Sequence, residues 1–407
     1  MFQRIRHTSL YRILLWLVLA ICLGVIWQLG KTILLRPELI PWQDYVHFWA
    51  AGRLNLAGEN PYDPVAVQQI KDHLAGRSAN LGIVAVYYAP PWTIPLAMLF
   101  GLLPYLPSRL VWLLANISIL LACAMWIWKM YAGPERQRWA AWLATLTFGP
   151  FYLILVGGQV TPLMLLGMVG FLYWVDGQRN DWLAGFSAAL ATFKPQLIYL
   201  FWPVLILWII QERRWKILIS FTLALFVGTA LGLLFNPAII NQYIFTALNY
   251  SPTQWLSPTI GVLLRLIFGA EKLWLQYLPS LIGVIWLVII WLKKRKTWGW
   301  LEQVPLIVFV SLLFTFHGWT GDLVLLLLAI LPAWIRLVKA RQQPLVTILA
   351  VIYGLLNLGY FLSRSQGTDL ISIWFAPALF LWYVIVYRFT RPDEGLNGPI
   401  APEPSGL

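Results

Sequence analysis

An aspartate at position 44 is the first residue in this sequence that invites chemistry. It stands in PWQDYVHFWAAGRLNLAGENPYDP, Pro41 to Pro64, just before a helical pattern whose apolar stripe is Tyr45, Phe48 and Trp49. Two readings are open. Asp44 can cap that helix, or it can act as a general base toward a hydroxyl. His47, one turn on, reads as packing. The second candidate is Lys194, which sits between apolar runs beside Pro195, a residue that frees backbone groups and bends helices. A lysine there either snorkels to the headgroups or holds an anion such as a lipid phosphate. Arg265, in a short apolar segment, is another cation of the same kind. Gln159 in GGQVTP can be a plain turn residue or an amide aimed into a cavity. His317 and Asp322 flank a later turn, where Asp322 also reads as a helix cap. Asp63 in NPYDP reads as turn chemistry. A carboxylate and a cation on one face suit group transfer, the first activating an acceptor and the second stabilising a leaving group.

No H-E-x-x-H, Walker loop, G-x-G-x-x-G after a strand, or His/Cys metal spacing occurs, and the four histidines are scattered. No cofactor and no bound metal is indicated.

The elements that must position these residues are membrane helices. Of 407 residues, 60% are hydrophobic and only 11% charged, against roughly a quarter charged in soluble domains. Mean hydropathy is +0.72, and apolar runs near spanning length recur from end to end. The net charge of +13 does not signal a nucleic-acid partner, because Lys and Arg fall in short links between apolar runs, as topology signals do. Many of the 25 tryptophans lie near run ends, as in interfacial belts.

A first span is expected at 13–29, with the N-terminus cytoplasmic. The polar stretch 31–87 then lies outside; it holds five basic and five acidic residues and carries no net charge. Residues 88–106 contain four prolines. If they spanned, Lys293-Lys294-Arg295-Lys296 would be external, so they are expected to lie on the outer surface. Further spans are expected at 108–128, 140–156, 162–175, 182–195, 196–210, 217–235, 273–292, 304–316, 323–338, 345–361 and 371–387, twelve in all. The pair 182–210 can also be one broken helix. Both termini come out cytoplasmic. The tail 391–407 is rich in Pro, Gly and Glu and is expected to be disordered. Residues 1–390 read as one transmembrane domain, with 31–107 as its first external loop.

Several segments resemble glycosyltransferase family 87. Asp44-Tyr45, Phe48, Ala51-Gly52, Leu56, Gly58 and Asn60-Pro61-Tyr62-Asp63 are similar to its first-loop signature. Tyr88 with Pro90-Pro91 resembles the element closing that loop. Gly158-Gln159-Val160 resembles its Gly-Gln turn, Ala184-Gly185 to Lys194-Pro195 its Ala-Gly helix, and Ser257-Pro258 to Arg265 a later external element. The chain departs from the family's late Trp-x-His-Tyr-like element, where it reads Phe316-His317-Gly318-Trp319.

The resemblance implies an all-α polytopic membrane protein, a GT-C-like bundle of about twelve transmembrane helices whose long first external loop carries surface helices. It implies an inverting glycosyltransferase, mannosyltransferase-like, using a polyprenyl-phosphate sugar donor and a glycolipid or glycan acceptor at the outer face of the plasma (inner) membrane. Asp44 then matches the catalytic aspartate. Lys194, Arg265, Gln159, His317, Tyr62 and Tyr88 become the substrate-binding candidates. The bilayer is the other partner; nucleic acid is not. A lipid or polysaccharide transporter or flippase is the rival reading. It calls for charges in mid-span and for internal repeats, and neither is visible.

Overall fold

The computed structural model describes residues 43–76, 86–176, 180–251, 253, 255–340, 342–364 and 369–390. The span expected at 13–29 and the tail at 391–407 lie outside the described residues. Among the described residues the fold is all-helical, with no strand. In lipid each segment must satisfy its own backbone polar groups, and long apolar runs do so as helices.

Three short helices precede the first long one: α1 (Asp44–Leu56), α2 (Pro64–Ala75) and α3 (Ile94–Gly101). With eight residues, α3 is far below the roughly 20 needed to cross a bilayer. Asp63 caps α2 by accepting the Val65 N–H at 2.9 Å, and Pro64 takes the first helical position, where its missing N–H costs nothing. α1 and α3 cross at glycines. A Cβ on Gly52 would meet the Ala97 carbonyl oxygen at 2.1 Å, and one on Gly101 the Arg53 nitrogen at 2.7 Å. Gly52→Ala should therefore push the two helices apart and cost about 1–3 kcal/mol of stability, read as a lowered thermal midpoint in detergent.

The rest of the chain forms α4 (Tyr105–Met130), α5 (Trp139–Leu146), α6 (Gly149–Gly157), α7 (Thr161–Val175), α8 (Asp181–Leu190), α9 (Phe201–Glu212) and α10 (Trp215–Leu233). Then come α11 (Ile239–Asn249), α12 (Ile260–Phe268), α13 (Trp274–Lys294), α14 (Trp300–Phe314), α15 (Leu327–Lys339), α16 (Gln343–Arg364) and α17 (Phe375–Phe389). Six apolar stretches are long enough to cross: α4, α10, 274–297, 320–339, α16 and 369–389. A seventh arises if α5 and α6, bent by 60°, count as one broken span. The expected twelve are not reached among the described residues. α7, α9 and α14 have 15, 12 and 15 residues, and α8 has 10.

Burial separates the centre from the periphery. The span 320–339 has 83% of its apolar window buried, whereas α10 has 17% and offers most of its side chains outward. α7 is buried on nearly every face and packs closely on α8, where a Cβ on Gly167 would meet the Ser187 carbonyl oxygen at 2.6 Å. α8 in turn packs on α10 through Gly185 and Ser220. This stack aims the C-terminal end of α8 at the residues of the first loop.

Candidate active site

Five segments far apart in the chain, with Val160 from the turn before α7, line a cavity of about 300 Å³. They are the start of α1, residues 86–90, the break after α8, one face of α11, and residues 316–322. Asp44, Tyr88, Lys194 and His317 all line it.

Asp44 is the first residue of α1, and the cap position belongs to Gln43. The capping alternative for Asp44 therefore fails, and Asp44 lines the cavity. Burial pushes its pKa above the ordinary carboxylate range; the Lys194 charge opposes that rise and the Asp322 charge adds to it, while the Gln159 amide donates to the carboxylate and lowers it.

The register of Asp44 is set from α4. Gln43 Oε1 accepts from the Tyr105 hydroxyl at 2.9 Å and from Arg109 Nε at 3.2 Å. Arg109, fully buried, also donates to the carbonyls of Leu155 and Val156 at 2.6 and 3.0 Å, at the C-terminal end of α6, where a cation meets the helix dipole. One and two turns on, the Trp112 indole donates to the Gly158 carbonyl at 2.8 Å, and the Asn116 amide to the Gln159 carbonyl at 3.3 Å. Gly158 has φ +65°, and a Cβ there would meet Tyr45 at 2.7 Å. One face of α4 thus clamps the turn that carries Gln159 beneath Asp44. Gln159 is 7% exposed, and its Oε1 accepts from no protein group.

Lys194 lies between two 3-10 turns, Ala191–Phe193 and Pro195–Ile198. The chain between α8 and α9 is thus broken at Lys194-Pro195, and neither helix alone, with 10 and 12 residues, has spanning length. The groups freed by the break find partners: the Pro195 carbonyl accepts from the Trp202 indole at 3.0 Å, and the Gln196 carbonyl from the Thr315 hydroxyl at 3.1 Å. The Trp92 indole donates to the Thr192 hydroxyl at 2.8 Å, tying the first loop to the break. The ammonium does not snorkel. It donates to Asp322 Oδ1 at 2.8 Å, and Asp322 is 1% exposed. Asp322 also accepts from the Thr161 hydroxyl at 2.6 Å and from the Trp319 N–H at 3.0 Å. Asp322 therefore caps its turn, as its position suggested, and also orients Lys194. Three donors bind that carboxylate, which leaves it poorly suited to nucleophilic work.

His317 is 9% exposed, with Nδ1 lacking a partner. Burial, helped by the Lys194 charge and opposed by Asp322, pushes its pKa down to about 4, so the ring is neutral. It meets Trp319 edge-on with centroids 5.7 Å apart, and Trp319 meets Trp255 the same way at 5.7 Å.

Three expected ligands do not line the cavity: Gln159, which reaches Asp44, and Arg265 and Tyr62, which lie elsewhere. Arg265 does not line the cavity. Its guanidinium is committed to the carbonyls of Ala270 and Thr253 and to Gln276, and Gln276 donates to the Phe316 carbonyl at 2.8 Å. It braces the segment bearing His317. Tyr62 is fully buried; its hydroxyl donates to the Ala89 carbonyl at 3.2 Å and its ring packs on Tyr87 and Tyr243. It supports the wall that carries Tyr88. Within the polar stretch 31–87, Lys71 is buried, 3% exposed. His47, read as packing, lines the cavity.

Sequence reasoning passed over α11. Tyr243, Thr246, Ala247 and Tyr250 line the cavity from one face, while Ile240, Ile244, Phe245 and Leu248 are exposed on the other. Spacing of three and four residues for the polar and aromatic positions was the available signal. Among the described residues no group of three or more His, Cys, Asp and Glu side chains is placed to hold a metal ion.

The family model described as glycosyltransferase family 87 matches residues 87–363. That range includes Lys194, Gln159, His317 and Asp322 and begins after Asp44. No curated protein and no solved structure matches the chain.

Proposed function

The chain belongs to glycosyltransferase family 87 and is a membrane glycosyltransferase, and on that premise we propose that it takes its sugar from a polyprenyl-phosphate donor, with Asp44 as the general base. The observation that carries this reading is the Lys194–Asp322 ion pair, which opens on the same cavity as Asp44. Asp44 removes the proton of an acceptor hydroxyl, whose oxygen attacks the anomeric carbon. The bond from that carbon to the phosphate oxygen breaks, and the lipid phosphate leaves with the bonding electrons.

Charge develops on phosphate oxygens in a cavity that water screens poorly, so a fixed cation is effective there. An ammonium has three N–H groups; Asp322 takes one from Lys194, and the others serve the phosphate. Among the described residues the only other carboxylate lining the cavity is Asp322, which three donors engage, and this supports a single displacement with inversion. Trp319, Tyr243, Tyr250 and Tyr88 supply aromatic faces for the sugar, His317 adds a polar stretch of wall, and Gln159 holds the Asp44 carboxylate by its amide. Mannose is the first sugar to test, and a glycolipid or glycan the acceptor class.

The direct experiment incubates the purified chain with a panel of polyprenyl-phosphate sugars and measures released polyprenyl phosphate. No release from any donor would sink the reading. The outer-face assignment has its own check. A cysteine at Glu59, an exposed position near the cavity's loop, should be labelled by an impermeant reagent on intact cells, and one at Lys294 should not. Labelling of Lys294→Cys from outside would invert the topology.

A further inference from the structure

The mechanism above leaves unused a polar pair at the cavity's edge. His47, three residues after Asp44 on α1, lines the cavity. Lys71, on α2, packs behind it with 3% exposure, and its ammonium lies 3.5 Å from His47 Nε2. Among the described residues no carboxylate comes within ion-pair distance of Lys71. Its neighbour Asp72 accepts instead from Gln68 on the same helix, at 2.8 Å. Buried lysines ordinarily keep a carboxylate partner. This one has an imidazole.

An ammonium can only donate a hydrogen bond. With Lys71 as the ammonium, His47 Nε2 accepts across the 3.5 Å contact, and the ring proton resides on Nδ1. Burial, with the Lys71 charge beside it, also pushes His47 down to about 3, so the ring carries no charge. His47 is then a neutral side chain with a single remaining polar group, the Nδ1–H donor, one turn from the general base.

We propose that Lys71 is a positioning residue of the transfer reaction: it holds His47 as the Nδ1–H tautomer, and His47 donates that hydrogen bond to a hydroxyl of the carbohydrate bound beside Asp44. This rests on the transfer reading of the cavity. It explains why a lysine is kept in a site that costs it most of its hydration, and why it faces an imidazole rather than an acid.

Two measurements test it. The first needs no substrate. The full chain, labelled with nitrogen-15 in its histidines, is studied by NMR at neutral pH, and the His47 signals are identified by their loss in His47→Asn. The Nδ1–H tautomer is expected in the unmodified chain and is expected to give way to a mixture in Lys71→Met. A neutral lysine accepting from Nε2–H would give the opposite tautomer and overturn the proposal. The second is kinetic, with any polyprenyl-phosphate sugar that the unmodified chain turns over. The asparagine amide N–H stands near where imidazole Nδ1 stands, and the glutamine amide N–H near Nε2. His47→Asn should lose about threefold in kcat/KM and His47→Gln about tenfold, equivalent to about 1.4 kcal/mol for one lost hydrogen bond; Lys71→Met should lose about two- to fivefold, in proportion to the Nδ1–H form that the mixture gives up, with each loss carried mainly by KM. Adding Lys71→Met to His47→Gln should cost nothing further, since one acts through the other. Equal losses in His47→Asn and His47→Gln, or additive losses in the double variant, would overturn it. A chain with no turnover at all sinks the transfer reading and this role with it, whereas the wrong tautomer with normal turnover sinks this role alone.

Discussion

Asp44→Asn should abolish transfer, by about 10²-fold or more, and leave the chain folded. The substitution keeps the side chain's size and its place at the head of α1, where Gln43 and not Asp44 occupies the cap. It removes only the proton acceptor. The pH dependence follows from the same burial. The ionised form does the work, and burial holds its pKa above the ordinary carboxylate range, so turnover should fall as pH drops through a value higher than that range. Stability runs the other way. A carboxyl whose folded pKa lies above its unfolded value stabilises the fold below the unfolded pKa and loses that contribution as pH rises through the folded one. Because that pKa is raised, the carboxyl at position 44 is a cost at pH above its unfolded value, so the thermal midpoint of Asp44→Asn should equal or exceed that of the unmodified chain. Near-normal turnover in Asp44→Asn would remove the base from the mechanism; lost turnover with a collapsed midpoint would make Asp44 a structural residue.

Lys194→Ala should impair donor binding and turnover together, by about 10²-fold or more, while Lys194→Arg keeps part of both because the charge remains and its geometry changes. The alanine variant has a second consequence. Asp322 is 1% exposed and would lose its charged partner, at a cost of about 3–5 kcal/mol. Lys194→Ala combined with Asp322→Asn separates the two effects, since it removes the stranded charge without replacing the cation. The double variant should regain much of the thermal stability and none of the activity. Recovery of turnover along with stability would mean that Lys194 only holds the fold. The pH profile supplies a further check. The Lys194 charge lowers the pKa of Asp44, so its loss should move the acid limb of any residual activity to higher pH. Donor binding as tight in Lys194→Ala as in the unmodified chain would detach the phosphate from this residue.

Hydropathy and proline placement are local properties, and what depends on them was legible in the residues alone. The spans expected at 108–128, 217–235, 273–292 and 345–361 correspond to α4, α10, α13 and α16 within a few residues. The four prolines of 88–106 end in an eight-residue α3 and not a crossing helix. Lys194-Pro195 marked a break in the chain direction, and Asp44, Gln159 and His317 announced themselves as polar residues amid apolar neighbours. The count of crossing helices was less accessible, because α7, α9 and α14 are apolar throughout and the pattern does not say that each is short.

What the sequence by itself determined is a helical membrane protein of family 87 character and a short set of residues with something to do. The tertiary structure decided which of them meet. Lys194 and Asp322 are 128 positions apart and form one ion pair; no periodicity links them. Arg265 and Lys194 look alike as lone cations in apolar surroundings, yet Arg265 spends its donors on nearby carbonyls and Gln276, while Lys194 reaches a buried carboxylate. Lys71 looks like one more solvated charge of a polar loop and is instead enclosed beside His47. The physical reason is common to all three. Composition tells what a side chain costs to bury, but the partner that offsets that cost is supplied by the folded chain around it, and only packing brings it within hydrogen-bonding reach.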